Sequence, residues 1–164
     1  MLILLIVVLG LSCAANAQAQ DVAPATVIPS AQIDAVQKKA VEGNIVDQLV
    51  KDVDVAGHKV ALAMLRRVKP ETNALIHSHV TEVYQIIKGS GTLITGGSLK
   101  GAKPNDLTNV AAGAGFSGVH EGGQRQRVGP GDVVIVPQGT PHRLGELDGE
   151  IVYLTYRFDS QIKK

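Results

Sequence analysis

The chain has 164 residues, with 16 Lys and Arg against 15 Asp and Glu and a formal net charge of +1. It holds 2 Phe, 3 Tyr and no Trp, and no basic run, so it offers neither a phosphate-tracking stripe nor a set of rings to stack on bases; no nucleic-acid partner is expected. Once an N-terminal signal of about 19 residues is set aside, roughly 145 remain, enough for one domain around a single core and too few for a second catalytic domain.

Residues 1–19 read as a secretory signal peptide. Leu2 to Leu11 is apolar, and small residues follow with two A-x-A cleavage sites, Ala15-Asn16-Ala17 and Ala17-Gln18-Ala19. The expected location is periplasmic or secreted, with no membrane attachment after cleavage, because the apolar run is shorter than the roughly 20 residues a bilayer requires. No Lys or Arg precedes the run, a departure from the usual signal. Lipidation at Cys13 is the weaker reading, since position 10, three before it, is Gly and not Leu. Cys13 is the only cysteine, so the mature chain can form no disulfide and do no thiol chemistry, and its stability must come from packing.

Residues 20–55 are expected to form an N-terminal helical segment. Ile33, Val36, Ala40 and Val41 recur at helical intervals behind Ser30, a suitable N-cap. Ile45, Val46, Leu49 and Val50 continue the pattern beyond a break at Gly43-Asn44. The spacing predicts two short helices, packed outside the main domain or forming a dimer surface.

Residues 56–160 read as a β-barrel domain. Short apolar runs at Val60–Val68, Ala74–His79, Glu82–Lys88, Gly91–Thr95, Asp132–Pro137, His142–Leu147 and Ile151–Phe158 are punctuated by Gly or Pro, as in barrels and sandwiches. Lys88-Gly89-Ser90-Gly91, Gly129-Pro130-Gly131-Asp132 and Gly139-Thr140-Pro141 supply turns. Residues 90–130 are a Gly-rich connection, expected to hold a strand, a long excursion over 96–123 and a short hairpin ending in Gln124–Val128. Arg125 and Arg127 would share a face there, either to hold an anionic substrate or, as is commoner for such a pair, to form an exposed charged edge. Arg66 and Arg67 point opposite ways, so one of them can line the barrel interior.

The chemistry-bearing residues lie at the strand ends. His77 and His79 stand two apart, so on a strand both imidazoles face one side, and Glu82 follows. Period-two alternation puts Glu82, Tyr84 and Ile86 on one face. His142 is the natural third imidazole, while His58 and His120 lie apart and are treated as non-ligands. Imidazoles with one carboxylate suit a divalent transition metal (Fe, Mn, Zn, Ni or Cu) with positions left open.

The spacing of these residues resembles the two motifs of the cupin superfamily. Gly131, Pro137, Gly139 and His142 match the second motif at every step, with Glu146 standing in place of its Asn. His77, His79, Glu82 and Gly89 follow the first motif, except that only Val80 and Thr81 separate His79 from Glu82 and that Glu71 takes the place of the leading Gly. The resemblance implies an all-β, cupin-type jelly-roll barrel over 56–160 with one or two short N-terminal helices. It further implies a metal held by His77, His79, Glu82 and His142, with water or Tyr84 as the substitute if the shortened spacing turns Glu82 away. Tyr84 is the candidate catalytic acid or hydrogen-bond donor. Two functions follow: a metal-dependent enzyme of dioxygenase or isomerase type acting on a small organic molecule, or a non-enzymatic barrel binding a small ligand or metal. A homodimer is implied in either case.

Overall fold

The computed structural model describes residues 24–161 apart from Ala56. The signal peptide, with Cys13, lies outside the described residues. Among the described residues eleven strands form two antiparallel sheets. The first orders β1 (Asp47–Val55), β2 (His58–Arg67), β11 (Ile151–Asp159), β4 (Val80–Lys88) and β9 (Val133–Val136). The second orders β6 (Ser98–Leu107), β7 (Gly113–Glu121), β3 (Ala74–His77), β10 (His142–Leu147), β5 (Gly91–Thr95) and β8 (Gln124–Val128). This is the cupin-type β-barrel that the strand pattern and motifs imply.

The core between the sheets takes one phase of each strand: Ala63 and Leu65 of β2, Tyr84 and Ile86 of β4, Leu93 of β5, Leu144 of β10, Ile151 and Tyr153 of β11. The opposite phase of β2 and β11 is buried too. Leu62, Met64, Val152 and Leu154 pack with Val50 beneath Ile33 and Val36 of the helix α1 (Ser30–Glu42). Burial on both faces explains why these two strands read as nearly continuous apolar runs and not as strict alternation.

Among the described residues one α-helix forms where two were expected. Pro29, not Ser30, occupies the N-cap, and its carbonyl accepts from the Gln32 N–H at 2.9 Å. Gly43 and Asn44, the latter at φ 48°, end the helix as the sequence predicts. Residues 47–55 then become β1, because Val50, Val53 and Val55 are β-branched and the edge of β2 supplies ladder partners from Leu65 to His58. An isolated second helix has no such long-range pairing to offer.

The Gly-rich connection is likewise not an excursion. It folds as a long hairpin of β6 and β7, joined through a turn of 3₁₀ helix at Thr108–Val110. β6 is an outer strand, mostly exposed and containing Pro104, so its sequence carries no apolar alternation. Gly115 of β7 lies opposite His77 in the ladder. A Cβ there would stand 1.7 Å from the Ile76 carbonyl oxygen, a backbone atom with little freedom to retreat. Gly115→Ala is therefore expected to destabilise by about 1–3 kcal/mol and to displace β3. Chemical denaturation checks this, and an unchanged midpoint would count against so close an approach of the two strands.

Candidate metal centre

Three buried side chains, drawn from both sheets, converge inside the barrel. His77 ends β3, His142 opens β10 and Glu82 faces them from β4, with 5%, 5% and 2% of their surface exposed. Glu82 Oε2 lies 3.5 Å from His77 Nε2 and 3.4 Å from His142 Nε2. One ligand atom from each of the three falls within 4.8 Å of the others.

The second motif builds this arrangement through its loop. The Gly139 N–H donates to the His77 carbonyl at 2.8 Å, from a left-handed conformation at φ 77° that suits glycine. One residue on, the Thr140 carbonyl takes a 2.9 Å hydrogen bond from His142 Nδ1. A carbonyl can only accept, so Nδ1 carries a hydrogen and the nitrogen beside Glu82 is Nε2. Metal-binding imidazoles are commonly oriented in this way, one nitrogen spent on a carbonyl and the other offered inward.

Glu82 has both oxygens occupied. Tyr84 Oη donates to Oε2 at 2.7 Å, and Arg157 Nε donates to Oε1 at 2.8 Å. Arg157 lies directly opposite Glu82 in the β4–β11 ladder and is 2% exposed. Its remaining nitrogens bond Asp47 Oδ2 at 2.6 Å, Asp47 Oδ1 at 3.2 Å and the Val110 carbonyl at 2.5 Å. Arg157 thus joins the first residue of β1 to the Glu82 carboxylate.

Electrostatics follow from burial and these partners. Burial alone would raise the Glu82 carboxyl, but hydrogen bonding to His142 and His77, with the charge of Arg157, holds it well below the usual carboxylate range. Burial and the neighbouring Glu82 charge push the Tyr84 hydroxyl well above its ordinary value, so it remains a proton-bearing donor. For His142 burial works downward, yet the hydrogen bond and charge of Glu82 outweigh it and the net shift is upward.

The donor set fits a divalent ion. Donors around one tetrahedral ion with bonds of about 2.1 Å stand roughly 3.4 Å apart, close to the two nitrogen-to-oxygen separations here. The cavity at the three residues is about 20 Å³, somewhat above the roughly 10–15 Å³ a single water needs. One carboxylate would partly neutralise such an ion, and Arg157 engages Glu82 Oε1, leaving Oε2 as the oxygen that would meet it.

A proton and an ion would compete for His142. Its raised folded value means that, without metal, the protonated imidazole contributes stability below about pH 6.5, its ordinary value, and that this contribution is lost as pH rises through the folded value. Glu82 works in the other direction: its contribution is present above about pH 4.3 and is lost as pH falls toward its depressed value. Metal affinity is therefore expected to weaken as pH falls while still above 6.5, earlier than a free imidazole would dictate. Competition titrations at pH 6, 7 and 8 measure this; equal affinity at all three would rule out a histidine-bound ion.

His79 is not gathered with the others. β3 stops at His77, so the period-two rule lapses, and Ser78 and His79 form a bend, Ser78 half-buried and His79 exposed, whose Ser78 N–H donates to the Ala114 carbonyl. With one residue fewer before Glu82, β4 already begins at Val80, and His79 is used to turn the chain. Its carbonyl accepts from the N–H and hydroxyl of Ser160. Glu82 keeps the register counted back from Gly89 and faces the barrel interior, as the alternation predicts.

Other expected residues divide clearly. Arg67, not Arg66, lines the cavity beside the three residues. Arg125 and Arg127 lie on the outer strand β8, paired with Glu146 and Asp148, so they form a charged edge and no anion clamp. The departure from the motif at Glu146 thus falls on the surface. His120 Nε2 donates to the Gly96 carbonyl at 2.7 Å. Sequence reasoning passed over Arg157, although its place in the inward phase of Ile151, Tyr153 and Thr155 on a doubly buried strand was a readable signal. Glu71, which departs from the first motif, accepts from the Leu144 N–H at 2.7 Å and pairs with Arg67 at 2.9 Å, clamping β10 beside His142.

No family model matches the chain, and no curated protein matches it. Among solved structures, a protein from Bacillus halodurans is similar over 84% of each chain, with a TM-score of 0.51 and 12% identity. A cupin superfamily protein from Desulfitobacterium hafniense has a TM-score of 0.41 and 13% identity over 68% of this chain and 73% of that one. A Cupin 2 conserved barrel domain protein from Salinispora arenicola has a TM-score of 0.41 and 16% identity over 70% and 75%. The likeness is one of fold, and the chain is a cupin-type barrel with a His-His-Glu group able to hold a metal.

Proposed function

We propose that the protein is an exported cupin that holds one divalent transition metal through His77, His142 and Glu82 and acts on a small organic molecule. The observation that carries this reading is the convergence of His77 Nε2, His142 Nε2 and Glu82 Oε2 in a buried site, with the His142 tautomer set by Thr140. When bound, the ion supplies Lewis acidity, and the residues around it do the rest. Tyr84 keeps a proton at Oη against Glu82 Oε2, available to a substrate oxygen that reaches it, while Arg157 engages Oε1 and leaves Oε2 as the oxygen that would hold an ion.

A second reading, a metal- or ligand-binding barrel without turnover, is favoured by the cavity volume of about 20 Å³, which leaves an ion little company. Export is supported by the apolar run Leu2–Leu11 and the two cleavage sites. A homodimer is supported by Val133 and Ile135 of the outer strand β9, 62% and 67% exposed and opposite Gln85 and Val83 in the outward phase of the first sheet.

Metal content of mature protein, purified from its export compartment without chelator or affinity nickel, tests the reading. About one equivalent of a transition metal is expected. Folded protein that neither carries metal nor takes up zinc, manganese or iron when these are supplied would overturn it.

A further inference from the structure

A second concavity opens beside the metal centre. It has a volume of about 430 Å³ and is bounded by the end of β2, the connection 68–73, Leu75 of β3 and Ser117 of β7. This is within the range of small-molecule sites, roughly 300–1,000 Å³. Arg67 and Leu75 line both this cleft and the small cavity at His77, Glu82 and His142.

The lining is cationic. Arg66, Arg67 and Lys69 share the lining with one carboxylate, Glu71, while Glu150 pairs with Arg66 from outside it, and both Glu71 oxygens are already engaged, one with Arg67 Nη1 and the other with the Leu144 N–H. Each guanidinium is pinned by its Nε: Arg66 on Glu150 Oε2 at 2.8 Å, Arg67 on the Tyr153 hydroxyl at 3.0 Å. Their other contacts use Nη1, toward Asn44 Oδ1 and Glu71, and leave Nη2 of each outside these bonds. Lys69 is exposed at the rim. Two guanidiniums held at Nε, with the exposed ammonium of Lys69, give the cleft a positive lining that suits a carboxylate, and the guanidiniums have little freedom left to lose on binding.

We propose that this cleft binds a small organic carboxylate, its anionic end on Arg66, Arg67 and Lys69 and its remainder directed past Leu75 toward the metal centre. The proposal names the substrate class of the function proposed above and rests on that reading for its direction, while anion binding itself needs no metal. It also gives Arg67 a double role, since the residue it bonds, Tyr153, packs its ring 4.8 Å from that of Tyr84, the donor to Glu82.

The test is a titration of metal-depleted, isotope-labelled protein with succinate and with succinamide, its uncharged analogue, followed by backbone amide shifts. Succinate is expected to saturate with shifts concentrated at Thr72, Asn73, Leu75 and Ser117, and to bind at least about tenfold more tightly than succinamide. Lys69→Gln, an exposed change that should leave the fold intact, is expected to weaken succinate about fivefold or more, and Arg66→Gln about tenfold. Equal binding of the two compounds, no saturable binding, unchanged succinate affinity in both variants, or shifts centred on Arg125–Arg127 would each overturn the assignment. Loss of metal uptake with succinate binding retained would remove the metal reading and leave the anion site standing.

Discussion

Arg157→Met is expected to destabilise the metal-free protein by about 3–5 kcal/mol at pH 8, the cost of breaking a buried ion pair from one side. Arg157 is 2% exposed and supplies hydrogen bonds to Glu82, Asp47 and the Val110 carbonyl. Methionine replaces most of its volume, so the loss measures uncompensated charge more than a cavity. The group left behind that matters most is Glu82, whose side chain is 3% exposed against 21% for Asp47, which water can still reach. Urea denaturation should show a lower midpoint with an unchanged slope.

The sign with pH follows from the same pair. Burial raises the Glu82 carboxyl, and His142 and His77, with the charge of Arg157 added, hold it below its usual range; without Arg157 the carboxyl moves upward, and a protonated Glu82 no longer needs a cation. The penalty should therefore shrink as pH falls into the range where Glu82 takes up a proton. A second substitution, Glu82→Met on the Arg157→Met background, should restore more than half of the lost stability, because a buried pair replaced on both sides by apolar groups is often neutral. A loss below about 1 kcal/mol for the single variant, or no recovery in the double, would mean the pair is better hydrated than its burial implies.

The fold was legible where a strand has one dry face. Glu82 to Lys88 alternates cleanly, and its register from the Gly89 turn puts Glu82 and Tyr84 inward as observed. The second motif was legible because its Pro, Gly and His each answer a local need: a turn, a left-handed residue and a ligand tied to Thr140. The parts that could not be read depend on distant partners. Nothing local tells Ile45 to Val50 that β2 has an open edge, and β6, exposed and broken by Pro104, carries no pattern at all. His79 shows the limit of spacing arguments: His-x-His implies a shared face only while the strand lasts, and here it ends at His77.

Single substitutions can weigh that geometry directly. His142→Ala and Glu82→Ala should each weaken metal binding by more than about a hundredfold, since each removes a donor and a lost supporting residue alone typically costs 10–100-fold. His79→Ala and His120→Ala should leave affinity within about twofold. His79 lies in an exposed bend, and His120 is engaged with Gly96 on the far hairpin. His79 carries the larger share of the information, because a three-histidine site built on the motif requires it and the observed arrangement does not. Affinity measured by chelator competition at pH 8, where His142 competes least with protons, separates the alternatives. A large loss on His79→Ala would mean that the bend rearranges to deliver a third imidazole once an ion is present. Unchanged affinity would leave His77, His142 and Glu82 as the complete set of protein ligands, with the remaining positions on the ion open to water or to a molecule entering past Arg67.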